Sequence, residues 1–463
     1  MVDCQSTGMS LPSAANLKHK WLLLLPILIF AVGGPGCQKS EERNSPVTIS
    51  FSTLTFSQTL YHGGPDILAE FTRQTGIRVR MLCYEGDDMD ARRLQHSAWL
   101  RQHASTPDVY EADIIDVGTL AEYMIDLNAY LGEDDRQHMP AIMRNLTFDG
   151  RVVALPVHTD VGLLFYRTDL LKKYGYQHPP RTWGELETMA AKIQAGERAA
   201  GHHSFWGFVW EGSPMNEGLI YTALEWQASS GGGQIIEPDG TISVNNPWAI
   251  AALRRARRWI GTISPPSVTA YQVEDLSNVW KAGRAAFMRS WPYYYSLGQA
   301  ADSLSRGRFD VAALPSGGVG SVGVLGGWQL MVSKYSAHPK EAAALVRYLT
   351  STRTQLMLAR QFSYPPTRAA LYDDPEVLRA SPYFSWLKEE FPRLALARPS
   401  SVTGGNYLAV AEAYKKAVHS VLTREADAAD AMAKLEKELV AITGFPVRHP
   451  TAPLPSSKSA PAP

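Results

Sequence analysis

Two apolar runs meet near residue 160 with almost nothing between them. Val152-Val153-Ala154-Leu155-Pro156 reads as one strand and Val161-Gly162-Leu163-Leu164-Phe165-Tyr166 as the next. Only Val157 and the polar triplet His158-Thr159-Asp160 separate them. A single polar crossing of this kind is how a chain passes from one lobe to another. A chain of 463 residues is also too long for one ordinary core, so two domains are expected on length alone.

The segments before the crossing alternate strand and helix. Residues 47–51 and 77–82 have strand character, and 66–74 and 91–103 have helical spacing, with Gly76 stopping the first helix. Ile114-Ile115-Asp116-Val117 reads as a short buried strand whose end carries Asp116. This βαβαβ rhythm implies a parallel sheet covered by helices on both faces. Ligands in such sheets sit beyond the carboxyl ends of the strands, where Asp116 falls. Asp87, Asp88 and Asp90 lack the glycine and terminal glutamate of a calcium loop and are expected to open the next helix instead. No metal site or cofactor motif is expected.

Charge narrows the partners. Lys+Arg and Asp+Glu both total 45, which argues against nucleic acid or an acidic partner. Arg254, Arg255, Arg257 and Arg258 sit off the apolar face of a helix started by Asn246-Pro247 and read as solvated charge. The N-terminus has export character: a basic Lys18-His19-Lys20, an apolar run over 21–32, then Gly33-Gly34-Pro35-Gly36-Cys37. The run is short for a membrane span and right for a signal-peptide core. Cys37 after small residues resembles a bacterial lipoprotein cleavage site, although Gly34 stands where that pattern prefers leucine. An ordinary secretory signal and an anchor helix stay open beside it, and all three readings export the rest of the chain. Residues 37–46 form a polar tether. Cys83, left alone in the mature chain, reads as a small buried hydrophobe.

Aromatic residues cluster in the second half. Arg289-Ser290-Trp291-Pro292-Tyr293-Tyr294-Tyr295 packs four rings around one proline, which argues against a central strand. It reads as an element end that presents aromatic faces after a helix-like 276–287. Phe205-Trp206-Gly207-Phe208-Val209-Trp210-Glu211-Gly212 reads as a strand. Residues 316–327 carry six glycines in twelve positions, a loop that lets backbone approach a ligand or lets a hinge bend. Tyr364-Pro365-Pro366-Thr367-Arg368 reads as a rigid turn with an exposed arginine. The stretch 447–463 has the composition of a disordered tail.

These motifs together resemble the extracellular solute-binding proteins of sugar ABC importers, with the nearest likeness to trehalose/maltose-binding proteins. The resemblance rests on Asp160-Val161-Gly162-Leu163-Leu164-Phe165-Tyr166-Arg167, on 205–212, on Ser290-Trp291-Pro292-Tyr293, on Leu325-Gly326-Gly327-Trp328 and on 369–375. It implies a two-lobed, type II periplasmic-binding-protein-like α/β fold with a hinge between the lobes. One lobe would comprise 47–157 and 318–367, and the other 158–317 and 368–446. It further implies that Asp116 and Asp160 accept hydrogen bonds from sugar hydroxyls and that Arg92 and Arg368 donate to them. Trp291, Tyr293 and Trp328 would form aromatic walls, and Gly327 would offer its backbone. His158 stands where the resembled proteins have tyrosine, and the loop 54–64 lacks their glutamate, with Gln58, Tyr61 or His62 as substitutes. The implied protein is a monomer without enzymatic activity, facing the periplasm or cell exterior. It would hand a disaccharide such as trehalose or maltose to a membrane permease, with ATP used by a separate subunit. Two other classes fit the residues: a secreted glycoside hydrolase using Asp116 and Asp160, or Glu211, as paired carboxylates, and a ligand sensor for a membrane receptor.

Overall fold

The structure, a computed structural model, describes residues 46–55, 64–82 and 89–455. The expected signal segment, Cys37 and most of the tether, with Gln58, Tyr61, His62, Cys83, Asp87 and Asp88, lie outside the described residues. Among the described residues, no helix is long and apolar enough to cross a membrane.

Two sheets organise the chain. The first contains β1 (Thr48–Ser52), β2 (Arg78–Leu82), β3 (Val109–Asp113), β6 (Leu155–Val161), β11 (Gly323–Val332) and β12 (Ala395–Leu396). The strands β4 (Thr147–Phe148) and β5 (Arg151–Val152) form a small antiparallel pair beside it. The second sheet contains β7 (Leu163–Arg167), β8 (Trp206–Val209), β9 (Ala285–Ser290) and β10 (Phe309–Ala313) in the order β10-β7-β9-β8.

In the first sheet β1 runs parallel to β2 and β3, as the βαβαβ rhythm predicts. The returning strand β11 then pairs antiparallel with both β3 and β6, so the sheet is mixed rather than parallel throughout. Alternate residues face opposite sides of each strand. Val109, Leu330 and Val332 therefore join a core under the helices Ile67–Thr75 and Pro339–Leu349, while Tyr110, Ala112 and Met331 join a second core on the other face. The helix Ile67–Thr75 starts where Asp66 accepts the Ala69 N–H at 2.9 Å and stops at Gly76, whose φ of 74° suits a residue without Cβ. The second sheet has its own core, rich in tryptophan: the buried rings of Trp183 and Trp259 pack on Phe208, and buried Trp226 packs edge-on against Trp259.

The structure shifts several sequence expectations. The strand expected over 114–117 lies at Val109–Asp113, and Asp116 sits in the turn before a short helix, Val117–Leu120. Buried Glu111 in mid-strand hid the true register, because a carboxylate there breaks the apolar pattern. His158-Thr159-Asp160 is not a bare crossing: β6 stays paired with β11 through Val161, and the chain turns to the second sheet at Gly162. The helix-like 276–287 splits into a helix, Val273–Lys281, and the start of β9. The glycine-rich 316–327 becomes strand from Gly323 onward. Residues 447–455, expected to be disordered, are docked: Val447 bridges to Ile242, Arg448 N–H donates to the Ile242 carbonyl at 2.9 Å, and Leu454 N–H donates to the Gly231 carbonyl at 2.9 Å.

Candidate functional site

A cavity of about 350 Å³ lies between the two sheets and takes its walls from both. The first sheet contributes Asp113 from the end of β3, His158 and Asp160 from β6, and Gly326, Gly327 and Trp328 from β11. The helix Met89–Arg101 adds Arg93, and Tyr364 follows the helix Thr352–Phe362. The second lobe contributes Glu211 just past β8, Glu217 and Tyr221 at the start of the helix Gly218–Ser229, and Trp291, Tyr293 and Tyr294 just past β9. The helix Val273–Lys281 supplies a polar wall of Glu274, Ser277 and Asn278.

The aromatic face is built by packing. Trp291 meets Tyr221 edge to face at 4.8 Å, and Tyr293 lies 5.7 Å from Tyr364. Trp328 is half-buried on β11, with the Arg92 guanidinium 4.8 Å from its ring centroid. Such rings can cover the C–H faces of a polyol while their polar edges stay wet. Gly327 holds a φ of 127°, and a Cβ there would meet the His158 carbonyl oxygen at 2.6 Å. The close pairing of β6 and β11 at the cavity floor therefore requires glycine.

Polar groups aim at the same space. Asp160 is 5 % exposed, its Oδ2 lies 3.2 Å from His158 Nε2, and its Oδ1 has no hydrogen-bond partner. Burial pushes the Asp160 carboxyl above its ordinary range, opposed by His158. A buried acceptor left open is costly in an empty site and suits one that receives a donor from a ligand. Across the cavity, Arg398 donates to Glu217 Oε2 at 3.0 Å and to Asp113 Oδ1 at 2.9 Å, and Tyr407 OH donates to the same Glu217 oxygen at 2.7 Å. Arg93 donates to Asp116 Oδ1 at 2.5 Å and lies 3.9 Å from Glu217. Burial pulls both guanidinium groups down, but the surrounding carboxylates outweigh it and hold them charged.

Of the residues singled out in the sequence, His158, Asp160, Trp291, Tyr293, Gly327 and Trp328 line this cavity. Three do not. Asp116 stands one step back, where it orients Arg93. Arg92 donates to the Glu111 carbonyl and lies over Trp328, so its neighbour Arg93 is the one that reaches the cavity. Arg368 is 2 % exposed and donates to the Asp134 carbonyl at 2.7 Å and the Thr350 carbonyl at 3.2 Å, tying a helix end to a 3-10 turn away from the cavity. Arg398 is the cavity arginine in its place. Its only sequence signal is Pro399 after an apolar helix, which marks an element end but not its direction. Asp113 was hidden by the strand misplacement, and Glu217 carried no pattern at all.

The family model described as bacterial extracellular solute-binding protein matches residues 65–356. A probable ABC transporter-binding protein of Deinococcus radiodurans is 46% identical over 376 residues, covering 81% of this chain and 89% of that protein. The maltodextrin-binding protein MdxE of Bacillus subtilis is 23% identical over 343 residues, covering 72% of this chain and 76% of that protein. Among solved structures, maltose-bound T. maritima MalE3 is 35% identical with a TM-score of 0.77, covering 86% of this chain and 100% of that chain.

Proposed function

The chain belongs to the bacterial extracellular solute-binding protein family, and from that premise we propose that it captures a disaccharide such as maltose or trehalose between its lobes and delivers it to an ABC importer. Proteins of this family and its fold bind solutes and are not enzymes. The observation that carries the sugar reading is the joining of Trp291 and the open Asp160 Oδ1 in one 350 Å³ cavity walled by both lobes. A pyranose has apolar C–H faces and directional hydroxyls, and it needs this pairing of rings with charged acceptors and donors. The volume lies at the small end of ligand sites, which favours a disaccharide over a long oligosaccharide. The 35% identity to a maltose-bound structure supports the same class.

In this reading Asp113, Asp160 and Glu217 accept from sugar hydroxyls, and Arg93 and Arg398 donate to them and to ring oxygens. Trp291, Tyr293 and Trp328 stack, while Asp116 and Arg92 position Arg93 and Trp328. The lobes, 47–157 with 318–367 and 158–317 with 368–446, close by bending at the crossing strands. The monomer is anchored to a membrane through a lipid on Cys37 and faces the periplasm or cell exterior. The closed form docks on a permease whose partner ATPase supplies the energy.

Thermal unfolding with a panel of trehalose, maltose and sucrose tests the substrate class. A sugar at about a hundred times its Kd stabilises the fold by roughly 2.7 kcal/mol, and Trp291→Ala weakens its binding by more than about 1 kcal/mol. No shift with any disaccharide would redirect the assignment to another polar solute.

A further inference from the structure

Behind Trp291 lies a buried charged pair that the ligand cannot touch but the hinge can. Arg289, the penultimate residue of β9, is fully buried. Its Nε and Nη2 donate to Glu225 Oε2 and Oε1 at 2.8 and 2.5 Å. Its guanidinium lies 4.2 Å from the centroid of the Trp291 ring and 4.4 Å from that of Tyr221. The arginine therefore backs the tryptophan that lines the cavity.

The same pair reaches the crossing strands. Glu225 Oε1 accepts the Val324 N–H of β11 at 3.0 Å. Gly162 N–H, at the turn between the sheets, donates to the Val324 carbonyl at 3.2 Å. A Cβ on Gly162 would fall 1.9 Å from Glu225 Oε1 and 2.5 Å from Arg289 Nη2. Both crossing segments thus sit directly against the ion pair. The network also has one contact unmade: Arg289 Nη1 and Glu211 Oε1 are buried without hydrogen-bond partners and face each other at 3.8 Å. A shift of about 1 Å would bring them to hydrogen-bond distance, and Glu211 lines the cavity.

We infer that Arg289 and Glu225 are positioning residues that couple ligand stacking on Trp291 to the bending of the inter-lobe crossing at Gly162 and Val324. The ligand half of this coupling rests on the sugar-binding reading above; the hinge half does not. The pair sets the plane of the Trp291 ring from behind and holds the crossing strand by its backbone. Movement of the ring or of Glu211 under a ligand then changes what the hinge is held by.

The test uses the full chain carrying Arg289→Met, Arg289→Lys or Glu225→Gln. Amide hydrogen exchange in the ligand-free protein reads the hinge, with β3 as the internal control. Arg289→Met is expected to speed exchange over 322–326 by at least tenfold while Val109–Asp113 keeps its protection. With maltose, or whichever panel sugar the wild type binds, affinity falls at least tenfold through faster dissociation. The contraction seen by small-angle scattering at saturation shrinks. Arg289→Lys, which keeps the charge over the ring but loses the two-pronged pairing, falls between. If Arg289→Met does not fold, Glu225→Gln is read the same way, since its amide keeps the shape and one acceptor. Wild-type exchange over 322–326, or fast exchange with wild-type affinity and full contraction, overturns the coupling, as does protection lost equally in β3. If the wild type binds no sugar, the functional reading fails, and exchange confined to 322–326 still decides whether the pair holds the hinge.

Discussion

Asp160 combines burial, an open oxygen and a raised pKa, and its protonation should be visible in two opposed pH dependences. Its folded-state value lies above the 3.8 of a free aspartate because burial disfavours the charge. Between those values the folded protein keeps a proton that the unfolded chain has released. Its contribution to stability is therefore greatest below the window and falls as pH rises through it. Sugar affinity should run the other way, because only the carboxylate offers Oδ1 fully as an acceptor. Calorimetric titration across that window should show affinity rising with pH, and Asp160→Asn should bind weakly and flatten the profile. The two arginines make a sharper contrast. Arg398→Ala removes two charge-assisted bonds at the cavity, and sugar affinity should fall by more than about tenfold. Arg368→Ala breaks bonds to the Asp134 and Thr350 carbonyls and should cost about 1.5–3 kcal/mol of stability with affinity unchanged. The reverse result, affinity lost at Arg368 and kept at Arg398, would overturn the assignment of the cavity arginine.

Among the elements, β11 decides the most. It pairs with β3, β6 and β12, and it carries Gly326, Gly327 and Trp328 into the cavity. Its register shifts between Trp328 and Gln329, beside Gly327 with its positive φ. Gly327→Ala would place a Cβ against two backbone atoms of β6, at 2.6 and 2.9 Å, and neither can move without parting the strands. We expect a loss of about 1–3 kcal/mol from the backbone conformation alone, more from the clash, and weaker sugar binding because Trp328 and His158 shift together. Denaturant unfolding and titration on one sample separate the two effects. The contrast between well-read and misread elements has a physical reason. The helices Ile67–Thr75 and Pro247–Trp259 carry local signals: Asp66 and Asn246 cap them, and their apolar faces repeat at helical spacing. The strand β3 carries a carboxylate, Glu111, whose Oε2 accepts from three groups over residues 53–55, just past the neighbouring strand β1 and more than fifty residues away in sequence. Local pattern does not register such a distant partner.

At the scale of the molecule, two lobes, each built on its own sheet, share a cavity and are joined through Gly162 and β11. A ligand shifts the balance between open and closed forms only through its differential affinity for them. A disaccharide contacted by both lobes should therefore reduce the radius of gyration in small-angle scattering, while a monosaccharide too small to span them should not. Equal contraction with both, or none, would count against closure around a two-lobe ligand. The family, the two-lobed α/β architecture and the aromatic wall were legible in the order of the residues. Strand and helix periodicity, caps and ring-rich motifs are local properties, and a chain displays them before it folds. Which of two adjacent arginines faces the cavity, that Arg398 rather than Arg368 enters it, and that Arg289 lies behind Trp291 depended on tertiary structure. Each is a matter of where a long side chain ends relative to a partner more than sixty residues away in sequence or on another element. Only the packed lobes set that distance.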